Sequence, residues 1–146
     1  MKSVLFILLV YSGSALACAD FEGHWTGVCK RGDKTFRSET TILQNSCQSI
    51  KINRISYYVG KPTVEVRTSK NKKKSYKEVS VYNIRWNDDE TILFLNLRWL
   101  GWYLNHPKTW SGGAAGSLKI KDGKLYSLRK FKKGTERCRY RLVESE

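Results

Sequence analysis

Phe21-Glu22-Gly23-His24-Trp25-Thr26-Gly27-Val28-Cys29-Lys30 alternates strictly: Phe21, Gly23, Trp25, Gly27 and Cys29 fall on one face, Glu22, His24, Thr26 and Lys30 on the other. Successive side chains of a strand point to opposite sides, so this stretch reads as a strand with one core face and one wet face. Arg31-Gly32-Asp33-Lys34 reads as a turn, and a second strand follows at about 35–44. The chain therefore opens on a hairpin.

The same grammar continues outward from that hairpin. A third strand starts at Cys47 with Ile50 and Ile52 on one face, but Ile55, Tyr57 and Val59 then carry the pattern. That phase slip predicts a bulge or bend near Asn53-Arg54. Gly60-Lys61 turns the chain, and Pro62 opens a run in which Val64 and Val66 alternate with Thr63, Glu65 and Arg67. Ser69 to Ser75 is lysine-rich and reads as an exposed loop before a strand at about 76–86. Asn87-Asp88-Asp89-Glu90 turns into the strand at 91–100, where Leu93, Leu95, Leu97 and Trp99 share a face. Residues 101–113 read as irregular, with Pro107 and Gly112-Gly113. Strands at 114–121 and 124–132 flank Asp122-Gly123, a hairpin signal of the type I′ kind. After Lys133-Gly134-Thr135 the last strand, about 137–143, sends Cys138, Tyr140 and Leu142 one way and Arg137, Arg139 and Arg141 the other.

No helical period competes with this pattern. Short strands joined mostly by hairpins predict an all-β fold, an antiparallel up-and-down barrel of about 8–10 strands. The rival is a two-sheet sandwich, which needs longer crossovers. About nine strands are countable. An odd number would leave first and last parallel, so one run must be bent in two or lie outside the barrel, with the slip near Asn53 as the place to look.

Met1-Lys2, the apolar run Val4–Val10 and the small-residue site Ala15-Leu16-Ala17 have the form of a cleaved export signal over 1–17, leaving one barrel domain over 18–146. The apolar run is shorter than the roughly 20 residues of a membrane-spanning helix. The expected location is periplasmic or extracellular. Without Lys2 the chain has 26 basic and 13 acidic side chains, a net +13. That charge favours anionic lipid or an envelope polymer as partner, and export argues against nucleic acid.

Cys18, Cys29, Cys47 and Cys138 all lie in the mature part, an even count that points to two disulfides in an oxidising compartment. Their spacing contains no close pair of the kind that holds a metal, so neither a metal nor a cofactor is expected. In the first hairpin the start of strand one lies beside the end of strand two, which predicts Cys18–Cys47. Antiparallel closure of the last strand on the first predicts Cys29–Cys138. An alternative for Cys18, just after the cleavage site, is a lipid anchor.

Gly23-His24-Trp25 resembles the G-x-W signature of the lipocalin and avidin-like barrels, the calycins. The resemblance implies a lipocalin-like barrel in which Trp25 closes one end under a basic side chain of the last strand, with Arg137 or Arg139 as candidates. The T-D-Y motif of lipocalins is absent, and Gly27 stands where avidins carry a polar ligand-binding residue. Candidate pocket residues are Trp25, Trp86, Trp99, Trp102 and Trp110, with Tyr57, Tyr58, Tyr82 and Tyr103; a barrel of this size holds one small ligand or fills itself with side chains. Lys70, Lys72, Lys73, Lys74 and Lys77 form one basic group, and Arg137, Arg139 and Arg141 form another with Lys119 and Lys121. His24 and His106 are the two histidines, and no H-E-x-x-H or G-x-S-x-G occurs. The expectation is an exported, non-enzymatic binding module for a small apolar ligand or envelope component. The alternative is a filled barrel whose basic face docks on an anionic membrane or polymer.

Overall fold

A computed structural model describes residues 18–70 and 75–143. The export signal expected over 1–17 and Lys72, Lys73 and Lys74 lie outside the described residues. The described chain is all strand and turn: β1 (Gly23–Arg31), β2 (Lys34–Ser46), β3 (Ser49–Ile52), β4 (Ile55–Tyr58), β5 (Thr63–Lys70), β6 (Ser75–Trp86), β7 (Ile92–Tyr103), β8 (Thr109–Lys121), β9 (Lys124–Phe131) and β10 (Gly134–Leu142). They form one antiparallel sheet in the order β4-β3-β2-β1-β10-β9-β8-β7-β6-β5. Every strand pairs with its sequence neighbour, apart from the closure of β10 on β1 and the seam between β4 and β5. The result is an up-and-down barrel, nearly closed.

The phase slip proves to be a tight turn rather than a bulge. Asn53 adopts φ 55°, and its Oδ1 accepts the Thr41 backbone N–H at 3.0 Å. Asparagine tolerates this left-handed conformation because its short polar side chain bonds locally. The run from 47 to 59 thus becomes β3 and β4, and the strand count becomes even. With ten strands, β10 meets β1 antiparallel, in the register Trp25↔Leu142 to Arg31↔Glu136. The expected hairpin at Asp122-Gly123 has φ of 51° and 67°, both positive as a type I′ turn requires.

The stretch read as irregular is instead an extension of the ladder. β7 runs on to Tyr103 and β8 begins at Thr109, leaving a turn at 104–108. The glycines there allow large rings to lie on backbone. Trp99 is paired with Gly112 and Gly101 with Trp110. A Cβ on Gly112 would come within 2.4 Å of the Trp99 ring, and one on Gly101 within 2.2 Å of the Trp110 ring. Each tryptophan covers the bare glycine across from it. Gly27 serves closure in a different way: a Cβ there would lie 2.1 Å from the Arg139 carbonyl oxygen, so only glycine lets β10 approach β1.

One end of the barrel is plugged. Residues 18–22 cross beneath it, held by Ala19 N donating to the Glu90 carbonyl at 2.8 Å and by buried Gln44. The Gln44 side chain accepts from Phe21 N at 3.0 Å and donates to Ala19 O at 2.9 Å. Phe21, fully buried, stacks on Trp86 with centroids 5.5 Å apart. Trp25 donates its indole N–H to Phe21 O at 2.9 Å, and Trp86 donates its own to Cys47 O at 2.8 Å. Ile42, Ile50, Ile84, Leu93 and Leu125 complete the plug. Burial of side chains of this kind contributes about 1.5–3 kcal/mol each.

Both disulfides form as the topology predicts, Cys18–Cys47 and Cys29–Cys138, the second between residues directly paired in the β1–β10 ladder. They are consistent with an exported protein. With Cys18 Sγ bonded to Cys47, that sulfur is not available to carry a thioether lipid, so the lipid-anchor alternative fails wherever this disulfide is formed. No helix among the described residues is long and apolar enough to cross a membrane.

Candidate ligand cavity

Above the plug the barrel is not filled. A cavity of about 600 Å³ extends from the plug toward the end that carries the β1–β2, β3–β4 and β9–β10 turns. Its lower walls are Ile42, Ile52, Leu95, Leu97 and Leu118, and Ala114 and Gly116 on β8 keep the space clear. β4 and β5 are the two sheet edges. They meet near the turn that joins them, through the Tyr58↔Lys61 bridge and the Thr63 hydroxyl, which donates to Ser56 O at 3.2 Å.

The polar part of the wall comes from β5, whose pattern is inverted. Val64 and Val66 face outward, 58% and 54% exposed, while Glu65 and Arg67 line the cavity. Glu65 Oε2 accepts from Arg67 Nη2 at 3.0 Å and from the Tyr82 hydroxyl at 3.0 Å. The bond from Arg67 holds the Glu65 carboxyl below the usual range, and Arg67 is raised in return. Tyr82 is pushed up, first by burial and then by its bond to Glu65. Tyr57, in edge-on contact with Tyr82 at 5.4 Å, is pushed from 10.0 up to about 12, mainly by burial and then by Tyr82 and Glu65. Both phenols therefore stay protonated through the neutral range.

A second charged group sits beside the Cys29–Cys138 disulfide. Glu136 is only 3% exposed; Arg31 donates to its Oε2 from both Nε and Nη2, and Arg129 Nη1 lies 3.4 Å from its Oε1. The Arg31 guanidinium also lies 5.2 Å over the Phe131 ring. A buried carboxylate with no cation beside it would cost several kcal/mol, so these arginines are what let Glu136 face inward. The sulfurs of Cys29 and Cys138 lie close to the Glu136 carboxylate, as metal ligands would. Bonded to each other, they offer no thiolate to an ion.

The tryptophans singled out from sequence are placed elsewhere. Trp25 and Trp86 belong to the plug, and Trp99 and Trp110 to the extended β7–β8 arm, where Trp110 donates to Glu78 Oε2 at 3.2 Å. Trp102 is paired with Lys77 and Thr109 on the other side of that arm. None of the five is among the residues lining the cavity. The basic partner expected over Trp25 is absent: Arg137 and Arg139 alternate with inward Cys138 and Tyr140 and so point to solvent. Lys70 and Lys77 sit near the β5–β6 tip, on strands four and five places from β10 in the sheet order. His24 bonds Thr41 Oγ1 on the outer wall at 2.9 Å, and His106 Nδ1 accepts from Lys108 N in the β7–β8 turn at 3.2 Å.

Of the tyrosines expected beside the tryptophans, Tyr57 and Tyr82 do line the cavity, and the residues that sequence reading missed as site residues are Arg54, Glu65, Arg67 and Arg129. One signal was present: opposite charges at 65 and 67 share a strand face, so two valines had to occupy the other. Comparison with protein-family models, with curated proteins and with solved structures finds no match for this chain.

Proposed function

We propose that this protein is an exported binding module, not an enzyme, that holds one small ligand with an apolar body inside its barrel. The observation that carries this reading is the cavity itself. Its volume of about 600 Å³ lies inside the range of ligand pockets, roughly 300–1,000 Å³. Its aliphatic floor and few convergent polar groups match the usual make-up of such pockets, apolar for affinity and polar for orientation. A filled barrel would leave no such space.

The test is uptake of a polarity-sensitive fluorophore by the mature protein, with Ala114→Phe as the blocking variant. Ala114 lies between Leu97 and Phe131 in the ladder and lines the cavity, so a ring there occupies ligand space. Uptake by the natural protein and its loss in a folded Ala114→Phe variant is the expected result. Natural protein that leaves every fluorophore dark, or a variant that binds unchanged, defeats the reading.

A second reading, docking on an anionic surface, is favoured by one feature of the outer wall. Arg37, Val28, Arg139, Tyr126 and Lys119 form a row across five neighbouring strands through successive pairs of the ladder. Arg137 and Arg141 flank Arg139, with Lys30 and Lys124 beside them. The two readings are compatible, because one uses the inside of the wall and the other the outside. Adhesion to anionic vesicles that falls steeply with salt and is lost in Arg137→Gln/Arg139→Gln/Arg141→Gln supports the second; salt-independent adhesion removes it.

A further inference from the structure

The charges around the cavity do not cancel. Glu65 is matched by Arg67, and Glu136 by Arg31, which makes two contacts to one carboxylate oxygen. That leaves Arg129, whose ion-pair contact to Glu136 is the longer one at 3.4 Å, and Arg54 in the β3–β4 turn, which has no ion pair among the described residues. Both line the cavity, on opposite walls, with Arg67 on a third. The stem of Arg129 passes over Gly116, where an added Cβ would come within 3.7 Å of its Cγ. The bare glycine opposite gives this side chain its room on the inner wall. Tyr57, buried in the wall beside Tyr82, faces the same space.

Resting on the reading of the cavity as a small-molecule site, we propose that the ligand is a single-chain amphiphile with an anionic head. Its head group lies among Arg54, Arg67 and Arg129, and its apolar chain descends between Ile42, Leu95 and Leu97. Each half follows from the wall it meets. The aliphatic lower walls offer a charged group neither hydrogen bonds nor counter-charge, so a charge cannot be seated there. The polar rim has two guanidiniums in excess of its carboxylates, which repels a cationic head and leaves a neutral one without ionic partners. Guanidinium forks bind planar oxyanions in paired hydrogen bonds, and those bonds strengthen where water is partly excluded. The protonated Tyr57 and Tyr82 hydroxyls add donors, not competing negative charge.

The test compares hexadecanoate with hexadecanol by displacement of a cavity-bound fluorophore, at low salt and neutral pH. Tighter binding of the carboxylate, by about tenfold or more, is the expected result, in line with charge-assisted bonds being roughly twice as strong as neutral ones. The preference is expected to shrink severalfold in Arg54→Gln and again in Arg129→Gln, with hexadecanol binding unchanged in both. Arg54 lies in an exposed turn and Glu136 keeps Arg31, so each variant retains the contacts of the fold. Equal affinity for acid and alcohol, or a preference that survives both substitutions, overturns the anionic head and leaves the cavity reading intact. Binding of neither lipid, with no fluorophore to displace, overturns the cavity reading beneath it.

Discussion

Removal of the two disulfides one at a time tests whether each stabilises the barrel by restricting the unfolded chain. Cys18–Cys47 closes a span of 29 residues and Cys29–Cys138 one of 109. Loop-closure entropy then assigns about 3.6 kcal/mol to the first and about 4.8 kcal/mol to the second. The difference depends only on the ratio of the spans and amounts to about 1.2 kcal/mol. Paired Cys→Ala substitutions remove the same atoms from each site. Cys18, Cys29 and Cys138 are buried and Cys47 is half-buried, so the packing lost is similar in the two variants. The measurement is urea unfolding of Cys18→Ala/Cys47→Ala and of Cys29→Ala/Cys138→Ala. The second pair is expected to have the lower midpoint, with similar slopes. If the first pair proves equally or more damaging, loop entropy is not the controlling term. The segment over 18–22 that Cys18 pins beneath the barrel, with Phe21 and Gln44, would then supply the stability instead.

Other perturbations address other parts of the molecule. Gly101→Ala or Gly112→Ala pushes a methyl group into a tryptophan ring and is expected to cost about 1–3 kcal/mol, with a red shift of tryptophan emission as the ring is displaced; an unchanged spectrum and midpoint would show that the rings do not lie on those glycines. Trp25→Ala is expected to cost about 3–5 kcal/mol, because it empties the plug and leaves the Phe21 carbonyl without its donor. Tyr57 titrates higher folded than unfolded, so its neutral form stabilises the fold fully below the unfolded value of 10.0; as pH rises from there to about 12, unfolding should become easier by roughly 2–3 kcal/mol, and Tyr57→Phe should flatten that limb of the stability profile. Glu65 shifts the other way: its contribution is present above the ordinary carboxylate value of 4.5 and is lost as pH falls through its lower folded value, so Glu65→Gln should flatten the acid limb.

Much of the fold was legible in the order of residues because alternation is local. The period of two in β1, β7 and β10 names the inward face of each strand, and turn chemistry at Gly32, Asp122-Gly123 and Asn87 sets where the chain reverses. With the faces known and the strands adjacent in sequence, Cys29 and Cys138 could meet only if the ends of the chain closed on each other. The slip at Asn53 was visible as well, but a bulge and a two-residue turn disturb alternation alike. What separates them is whether the next residues run back along the previous strand, which is a matter of pairing.

The sequence by itself determined the sheet, its hairpin order, both cystines and the excess of positive charge. Tertiary structure alone decided that the barrel is hollow, that β5 turns its valines outward and its ion pair inward, and that the tryptophans plug an end or lie on glycines in an arm. Periodicity reports which side of a strand a residue occupies, and nothing about what stands opposite. The width left between facing walls depends on how ten strands curve together and on small residues such as Gly116 and Ala114 standing beside Leu95 and Leu97 on the inner surface. Those are relations between residues far apart in the chain, and they exist only once it has closed.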